Sequence, residues 1–241
     1  MYGGAKTCVR APVGDSDFFS VDIGLHQGSA LSPFLFTIVL DELSKSIQEA
    51  IPWCMLFADD IVLVAEKKHD LKSRLLEWHA ALERKGFRIS RSKTEYLHCN
   101  FSGITSGEDI DFTIGEVLVM QTTKFKYLGS FVQSDGDIDF DATHRVQAGW
   151  CKWRAASGVL CDKRFPESLK WKFYGVVIQP TLLYGTECWA IKKAQARKLE
   201  TAEMRMLRWM CGQTRLDRIR NEVIRGKLGV AHISLKIREG G

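Results

Sequence analysis

The sequence has 241 residues, of which 45% are hydrophobic and 26% are charged, as in ordinary soluble globular proteins with one large domain or two modest ones. Its seven cysteines are widely spaced and form no Cys-x-x-Cys pair, which argues against a disulfide framework and a zinc site. No signal peptide is visible, and the strongly apolar stretch 31–40 is too short to span a bilayer. A cytoplasmic or nuclear location is therefore expected.

Charge is distributed unevenly along the chain. Residues 1–141 hold 14 Lys and Arg against 21 Asp and Glu, a net charge of −7, whereas residues 142–241 hold 20 against 8, a net charge of +12. A basic segment of this kind suggests a polyanionic partner such as nucleic acid. Solvated Lys and Arg faces on ordinary helices are the alternative explanation.

The first elements are a short strand at residues 18–23, a glycine-containing turn at 24–28 and a helix at 29–51. Ser29 or Ser32 is a suitable N-cap, and Pro33 is tolerated because it falls in the first turn. Four apolar residues recur at helical spacing and are predicted to face the core: Leu35, Ile38, Val39 and Leu43.

Two strand-like apolar stretches, residues 53–58 and 61–65, surround the adjacent acids Asp59 and Asp60. A tight turn between two strands places both carboxylates on one rim, where they are suited to hold divalent metal ions against phosphate oxygens. An ordinary aspartate-containing turn would have the same sequence. The apolar flanks favour a rigidly supported site.

Downstream, residues 68–85 have the spacing of an amphipathic helix that ends at Gly86. Short strands are predicted at residues 87–89, 94–99, 112–114, 117–120 and 125–128. Beyond residue 141 the pattern becomes helical, with helices predicted at 142–159, 167–177, 194–211 and 216–228. The predicted fold class is α+β, with an α+β domain at 1–141 followed by a mostly helical domain at 142–241.

Several motifs in order resemble the reverse transcriptases of non-LTR (LINE-type) retrotransposons. Residues 24–43 are similar to palm motif B of that family, and Phe57-Ala58-Asp59-Asp60 is similar to motif C. Residues 76–94 are similar to motif D, and residues 125–129 to motif E, the primer-gripping hairpin. The segment from residue 150 onward, with Leu183-Tyr184-Gly185, is similar to the sequence that follows the palm.

The resemblance implies a partial polymerase palm, an antiparallel sheet with packed helices, at residues 1–141 and a basic, thumb-like helical region at 142–241. It implies RNA-directed DNA polymerase activity on an RNA template and a DNA primer, by two-metal nucleotidyl transfer. Asp59 and Asp60 would be the catalytic residues and would bind Mg²⁺ or Mn²⁺.

The other roles also follow from the resemblance. Five residues would contact the incoming nucleotide or the template: Gln27, Gly28, Ser32, Pro33 and Lys93. The primer terminus would be supported by Leu128 and Gly129.

The sequence also departs from the family pattern. A third carboxylate is expected from motif A, upstream of motif B, but only 23 residues precede Gly24. Asp15, Asp17 and Asp22 lie there, and none follows a strand-like apolar run. The third carboxylate and the fingers are therefore expected to be missing from this sequence, or supplied by an upstream polypeptide. The chain alone is then expected to be inactive, and a non-catalytic nucleic-acid-binding remnant is the alternative.

In the basic half, aromatic residues alternate with cations, as in a nucleic-acid channel. The predicted phosphate contacts are Lys152, Arg154, Lys170 and Lys172. Trp150 and Trp153 lie on one helix face with Val146 and are also explained as core residues. A second basic cluster follows further along the chain: Arg205, Arg208, Arg215, Arg218 and Arg220.

Overall fold

A computed structural model describes residues 4–21, 24, 28–99 and 112–239. The described chain is a mixture of helices and strands, which confirms the predicted α+β class. It divides into two units: unit 1 comprises residues 1–94 and 108–120, and unit 2 comprises 95–107 and 121–241. The assignment of residues 1–141 to a palm and 142–241 to a thumb-like region stays a prediction.

The residues up to 133 contain the strands and two helices. In chain order these are β1 (Lys6–Thr7), β2 (Arg10–Ala11), β3 (Gly14–Asp15), β4 (Phe19–Ser20), α1 (Ser32–Ser44), β5 (Cys54–Phe57), β6 (Asp60–Leu63), α2 (Lys68–Arg84), β7 (Glu95–Leu97), β8 (Thr113–Ile114), β9 (Val117–Leu118), β10 (Met120–Thr122), β11 (Lys124–Tyr127) and β12 (Ser130–Gln133). Antiparallel pairs form between β1 and β4, β2 and β3, β5 and β6, β8 and β9, and β11 and β12.

The rest of the chain is helical. Its elements are α3 (Asp139–Ala155), α4 (Ser157–Leu160), α5 (Glu167–Phe173), a π-helical turn (Tyr174–Ile178), α6 (Gln179–Leu183), a 3₁₀ turn (Thr186–Cys188), α7 (Lys193–Met210), α8 (Asn221–Leu228) and α9 (Ile233–Glu239). No helix in the described ranges is long and apolar enough to cross a membrane.

Unit 1 packs its hydrophobic core between α1, α2 and the β5–β6 hairpin. The buried residues of this core are Leu40, Cys54, Trp78 and Leu82. Helix α2 confirms its predicted span and buries Trp78 and Leu82 on one face, as its amphipathic spacing requires.

The predicted core face of α1 is wrong in part. Ile38 and Val39 are 48% and 44% exposed, and Leu40 is the buried apolar residue of this helix. The reason is that residues 34–40 are apolar almost all round the helix, so the spacing alone does not select one face. The helix also ends at Ser44, before the predicted end at residue 51, and turns continue to the cis Ile51–Pro52 bond.

Unit 2 has the larger core, formed by the helices after β12. Trp153 is 3% exposed, and the rings of Trp150 and Trp153 lie edge to face with centroids 5.6 Å apart. Both tryptophans pack within or against this core, so their interpretation as core residues is confirmed. A Cβ atom at Gly149 would lie 2.5 Å from Leu182 Cδ2, so this glycine permits the close approach of α3 and α6.

Two further predicted elements need correction, and one hairpin strand was missed. Residues 87–89 are not a strand, because Phe87 and Ile89 pack against the unit 1 core from an irregular segment. Strand β12 was not predicted, although it completes the hairpin begun by β11. The last predicted helix begins at Asn221 and not at residue 216, because a turn-rich loop precedes it.

Candidate functional site

The two adjacent acids lie at the tip of the β5–β6 hairpin. Phe57 pairs with Asp60, so the connecting loop consists of Ala58 and Asp59, and Asp60 is the first residue of β6. Ala58 has a φ of 50°, a conformation that tight hairpin loops require. Both carboxylates are exposed. The predicted strand–turn–strand arrangement is confirmed, but the loop begins one residue earlier than predicted, because Asp60 pairs with Phe57 as part of β6.

The base of this hairpin is firmly held inside unit 1. Cys54 is 6% exposed, and Leu56 and Ile61 pack against the core that contains Leu40 of α1. Arg74 of α2 donates a hydrogen bond to the Val64 carbonyl just beyond β6. The Asp59-Asp60 tip is thus carried on packed strands, which place functional groups more rigidly than a free loop does.

Two carboxylates are hard oxygen donors of the kind that Mg²⁺ prefers. In the described ranges, however, no cluster of three or more His, Cys, Asp or Glu side chains is arranged to hold a metal ion. Among those residues, Asp59 and Asp60 are two adjacent carboxylates with no third such side chain grouped beside them. Asp22, considered above as an upstream carboxylate, and Gln27, a predicted nucleotide or template contact, lie outside the described residues.

The predicted nucleotide contacts fall in two places within unit 1. Gly28, with a φ of 86°, precedes α1, and Ser32 and Pro33 are the first two residues of that helix. The N-cap residue of α1 is Leu31, for which the described part of the chain shows no side-chain capping hydrogen bond. Ser29 accepts a hydrogen bond from the Leu31 N–H at 3.3 Å. Lys93 lies exposed in a separate turn.

The predicted primer-contact residues form the turn of a second hairpin. Tyr127 pairs with Ser130, so Leu128 and Gly129 are the two-residue loop between β11 and β12. Their φ values are 48° and 82°. A positive φ is uncommon for leucine, so the surrounding structure has to stabilise this turn.

A buried ion pair on α3 supports that turn. Arg145 donates to Asp141 at 3.2 Å, to Ser130 Oγ at 2.9 Å and to the Gly129 carbonyl. Asp141 in turn accepts the Phe131 backbone N–H at 2.9 Å. Because both side chains are buried, these charge-assisted bonds are among the stronger kind.

Tyr184 holds the other side of the same turn. Its hydroxyl donates to the Leu128 carbonyl at 2.6 Å, and the Arg145 guanidinium lies 4.6 Å from its ring centroid. A Cβ atom at Gly185 would lie 2.6 Å from Ser130 Oγ, so the glycine allows this close approach. We refer to Asp141, Arg145 and Tyr184 as the hairpin clamp.

Sequence reasoning did not identify the hairpin clamp. The Asp141–Arg145 spacing of four residues is a common helical ion-pair spacing and does not indicate that the pair contacts a hairpin. Tyr184 belongs to a motif that the sequence singled out, but its partner Leu128 is 56 residues away. The sequence contained no signal that joins these segments.

His144 lies beside the clamp and packs edge-on against Phe131, with ring centroids 5.0 Å apart. Burial lowers the pKa of His144, and the nearby charges of Arg145 and Lys126 lower it further, against an opposing effect of Asp141. The folded structure therefore disfavours protonation of the imidazole.

We expect acid to destabilise unit 2 through His144. Its pKa is lower in the folded than in the unfolded chain, so its contribution to stability is present above the unfolded pKa, about 6.5. That contribution is lost as the pH falls through the folded pKa. Thermal unfolding between pH 8 and pH 5 measures this loss, and His144→Leu should show a smaller fall in melting temperature. An equal fall in both proteins would contradict the assignment.

The predicted phosphate contacts in the basic half are placed differently from one another. Lys152, Arg154 and Lys172 are exposed and accessible to a polyanion. Lys170 is only 4% exposed, and its ammonium donates to the Met210 carbonyl at 3.4 Å, near the C-terminal end of α7. A phosphate contact is therefore not supported for Lys170, because its charge is directed into the core.

Relatives are found among retrotransposon proteins. The chain is 31% identical over 130 residues to a retrovirus-related Pol polyprotein from a type-1 retrotransposable element R2 of Nasonia vitripennis, covering 48% of this chain and 13% of that protein. A Pol polyprotein from a type-2 retrotransposable element of Drosophila melanogaster is 30% identical over 165 residues, covering 61% and 14%. A transposon-derived protein of Caenorhabditis elegans is 22% identical over 169 residues, covering 66% and 56%.

The chain thus spans between about one eighth and just over half of the length of these relatives. The family model described as reverse transcriptase (RNA-dependent DNA polymerase) matches residues 6–132, which is more than half of the chain. That range contains both the Asp59-Asp60 hairpin and the Leu128-Gly129 turn. The resemblance to the enzymes of non-LTR retrotransposons is confirmed, and this chain belongs to the reverse transcriptase family.

Proposed function

We propose that this chain is the part of a retrotransposon RNA-directed DNA polymerase that carries two of the catalytic carboxylates and the primer-contact hairpin. The observation that supports this most directly is the pair of exposed acids, Asp59 and Asp60, on a hairpin anchored in the core of unit 1. The substrates are an RNA template and a DNA primer, and the intact enzyme uses a divalent cation, Mg²⁺ or Mn²⁺.

The remaining roles are assigned within this proposal. Gly28, Ser32 and Pro33 lie at or before the start of α1. Together with Gln27 they contact the incoming nucleotide or the template strand, and Lys93 contacts phosphate. The primer terminus rests on Leu128 and Gly129. The hairpin clamp supports this role, because it holds both carbonyls of the turn with directed hydrogen bonds and so limits the motion of a surface that must position a primer.

A separate polypeptide segment completes the centre with a third carboxylate and the fingers. Among the described residues, no third His, Cys, Asp or Glu side chain is grouped with Asp59 and Asp60, which supports this. Unit 1 also exposes several large apolar side chains on α1 and at the hairpin tip, which is typical of a surface that packs against further protein. Their exposed fractions are 63% for Phe34, 48% for Ile38, 44% for Val39 and 57% for Phe57.

Primer extension on an RNA template with Mg²⁺ or Mn²⁺ tests the proposal. We expect the chain alone to give no more extension than Asp59→Asn, because its donor set is incomplete. Joined to the preceding reverse transcriptase segment of the Nasonia R2 relative, the chain should extend the primer. Asp59→Asn should then reduce the rate by roughly a thousandfold, as expected when several kcal/mol of metal-based stabilisation are lost.

Glu66→Gln is the matched control, because Glu66 is an exposed carboxylate beyond the hairpin. Asp59-dependent extension by the isolated chain would overturn the proposed incompleteness. Extension by the fusion that does not depend on Asp59 would overturn the catalytic role of the hairpin.

A non-catalytic nucleic-acid-binding protein is the second candidate function. It is favoured by the net charge of +12 on residues 142–241. An inactive fusion together with nucleic-acid binding that is unchanged in Asp59→Asn would favour this candidate over a polymerase.

A further inference from the structure

A pocket of 520 Å³ lies in unit 2 between the end of α7, the following loop and the start of α8. Its volume is within the range of small-ligand sites, roughly 300–1,000 Å³, but its lining is dominated by cations. Five arginines line it, against a single carboxylate, that of Glu200: Arg205, Arg208, Arg215, Arg218 and Arg225. We call this site the arginine pocket.

Arg208 is the central observation. It is 9% exposed, yet its guanidinium donates only to neutral oxygens: Asn221 Oδ1 at 2.8 Å and the carbonyls of Ile219 and Thr214 at 2.7 and 3.2 Å. Within the described chain it forms no ion pair with a carboxylate. A buried charge normally has an opposite charge in direct contact with it. The charge of Arg208 helps to lower the pKa of the nearby Asp217, but no described carboxylate is bonded to this guanidinium.

Arg225 is the second buried arginine in the lining of the pocket. It is 5% exposed. Its Nη2 is paired with Glu203 at 2.7 Å, and its Nη1 donates to the Ala231 carbonyl at 3.0 Å. Its Nε is buried and has no hydrogen-bond partner among the described residues. An unpaired buried donor is costly. Because this Nε is shielded from solvent, a ligand in the pocket would be bound by the more exposed arginines.

The remaining arginines are free to bind such a ligand. Arg205, Arg215 and Arg218 are exposed and have no ion-pair partner in the ranges that the structure describes. A backbone hydrogen bond from Arg218 N–H to the Arg215 carbonyl, at 3.2 Å, brings these two residues into one turn. The nearby carboxylate of Asp217 is occupied with Thr214, accepting its backbone N–H and its hydroxyl.

We propose that the arginine pocket binds phosphate groups of a nucleic-acid backbone. Arginine forks match phosphate oxygens with paired hydrogen bonds, and the start of α8, where Asn221 lines the pocket, adds the partial positive charge of a helix N-terminus. The choice of a nucleic acid over a free phosphate ion rests on the proposed function. The presence of a phosphate site in the pocket is inferred only from the arginines of unit 2.

The test uses the triple variant Arg205→Gln/Arg215→Gln/Arg218→Gln, which spares the buried Arg208 and Arg225. The matched control, Arg197→Gln/Arg220→Gln/Arg238→Gln, removes the same charge from exposed arginines that do not line the pocket. The probe is a fluorescein-labelled 20-nucleotide single strand, as RNA and as DNA, titrated at several salt concentrations. Circular dichroism checks that both variants fold.

We expect the pocket variant to weaken binding by about tenfold or more, and to reduce the slope of log affinity against log salt by about 2, for three lost phosphate contacts. The control variant should change both quantities much less. Equal losses of affinity in the two variants would overturn the assignment of the pocket as a binding site, because binding would then depend on net charge alone. The binding assay requires no primer extension, so this result is separable from a failure of the polymerase proposal, which the extension assay measures.

A second arm distinguishes the two sources of phosphate. Inorganic phosphate is titrated alone while the arginine side-chain N–H resonances are followed by nuclear magnetic resonance. Oligonucleotide binding that requires the pocket supports the proposal whether or not free phosphate shifts these resonances. The nucleic-acid assignment would be overturned if inorganic phosphate shifts these resonances while oligonucleotide binding is the same in the pocket variant as in the unmodified protein.

Discussion

Replacing Glu203 by leucine is expected to lower the free energy of unfolding of unit 2 by about 3–5 kcal/mol, the usual cost of leaving one partner of a buried ion pair without the other. Glu203 is fully buried on α7. It pairs with Arg225 of α8 at 2.7 Å and accepts the Tyr174 hydroxyl at 3.2 Å. Burial raises the pKa of Glu203, and Arg225 opposes this effect.

Urea unfolding followed by circular dichroism measures this change. The double variant Glu203→Leu/Arg225→Met should recover much of the lost stability, because replacing both partners of a buried pair by apolar residues is often close to neutral. Glu200→Leu, on the same helix but partly exposed, should change the unfolding free energy by no more than about 0.5 kcal/mol. A small effect of Glu203→Leu would show that the buried network does not stabilise the unit.

The second large effect is expected at the hairpin clamp. Arg145→Leu leaves the buried Asp141 carboxylate without its cation and removes the donors to Gly129 and Ser130. We expect a loss of about 3–5 kcal/mol in unfolding free energy, for the same physical reason. Because the lost bonds end on β12 and its turn, the hairpin should also open more often, and its amide hydrogens should exchange faster.

Hydrogen exchange by mass spectrometry, combined with urea unfolding, tests both expectations. Arg154→Leu is the control, since Arg154 is exposed on the same helix and should change stability by no more than about 0.5 kcal/mol. Faster exchange throughout unit 2, without a particular increase at β11–β12, would contradict a specific role of Arg145 in holding the turn.

The features that the sequence determined by itself are local ones. The Asp59-Asp60 hairpin follows from two apolar stretches separated by a two-residue loop, and its partners are within ten residues of one another. Helix α2 follows from its amphipathic spacing in the same way. Family membership was also evident from the order of short motifs, because each motif is read from neighbouring residues.

The tertiary structure alone decided which of these residues are buried and which distant segments meet. Lys170 and Lys172 look equivalent in sequence, but one is buried and the other exposed, because the packing of α5 sets their directions. The contacts of Tyr184 with Leu128 and of Glu203 with Arg225 join residues far apart in the chain. Local propensity carries no information on such contacts, since they depend on how whole helices pack together.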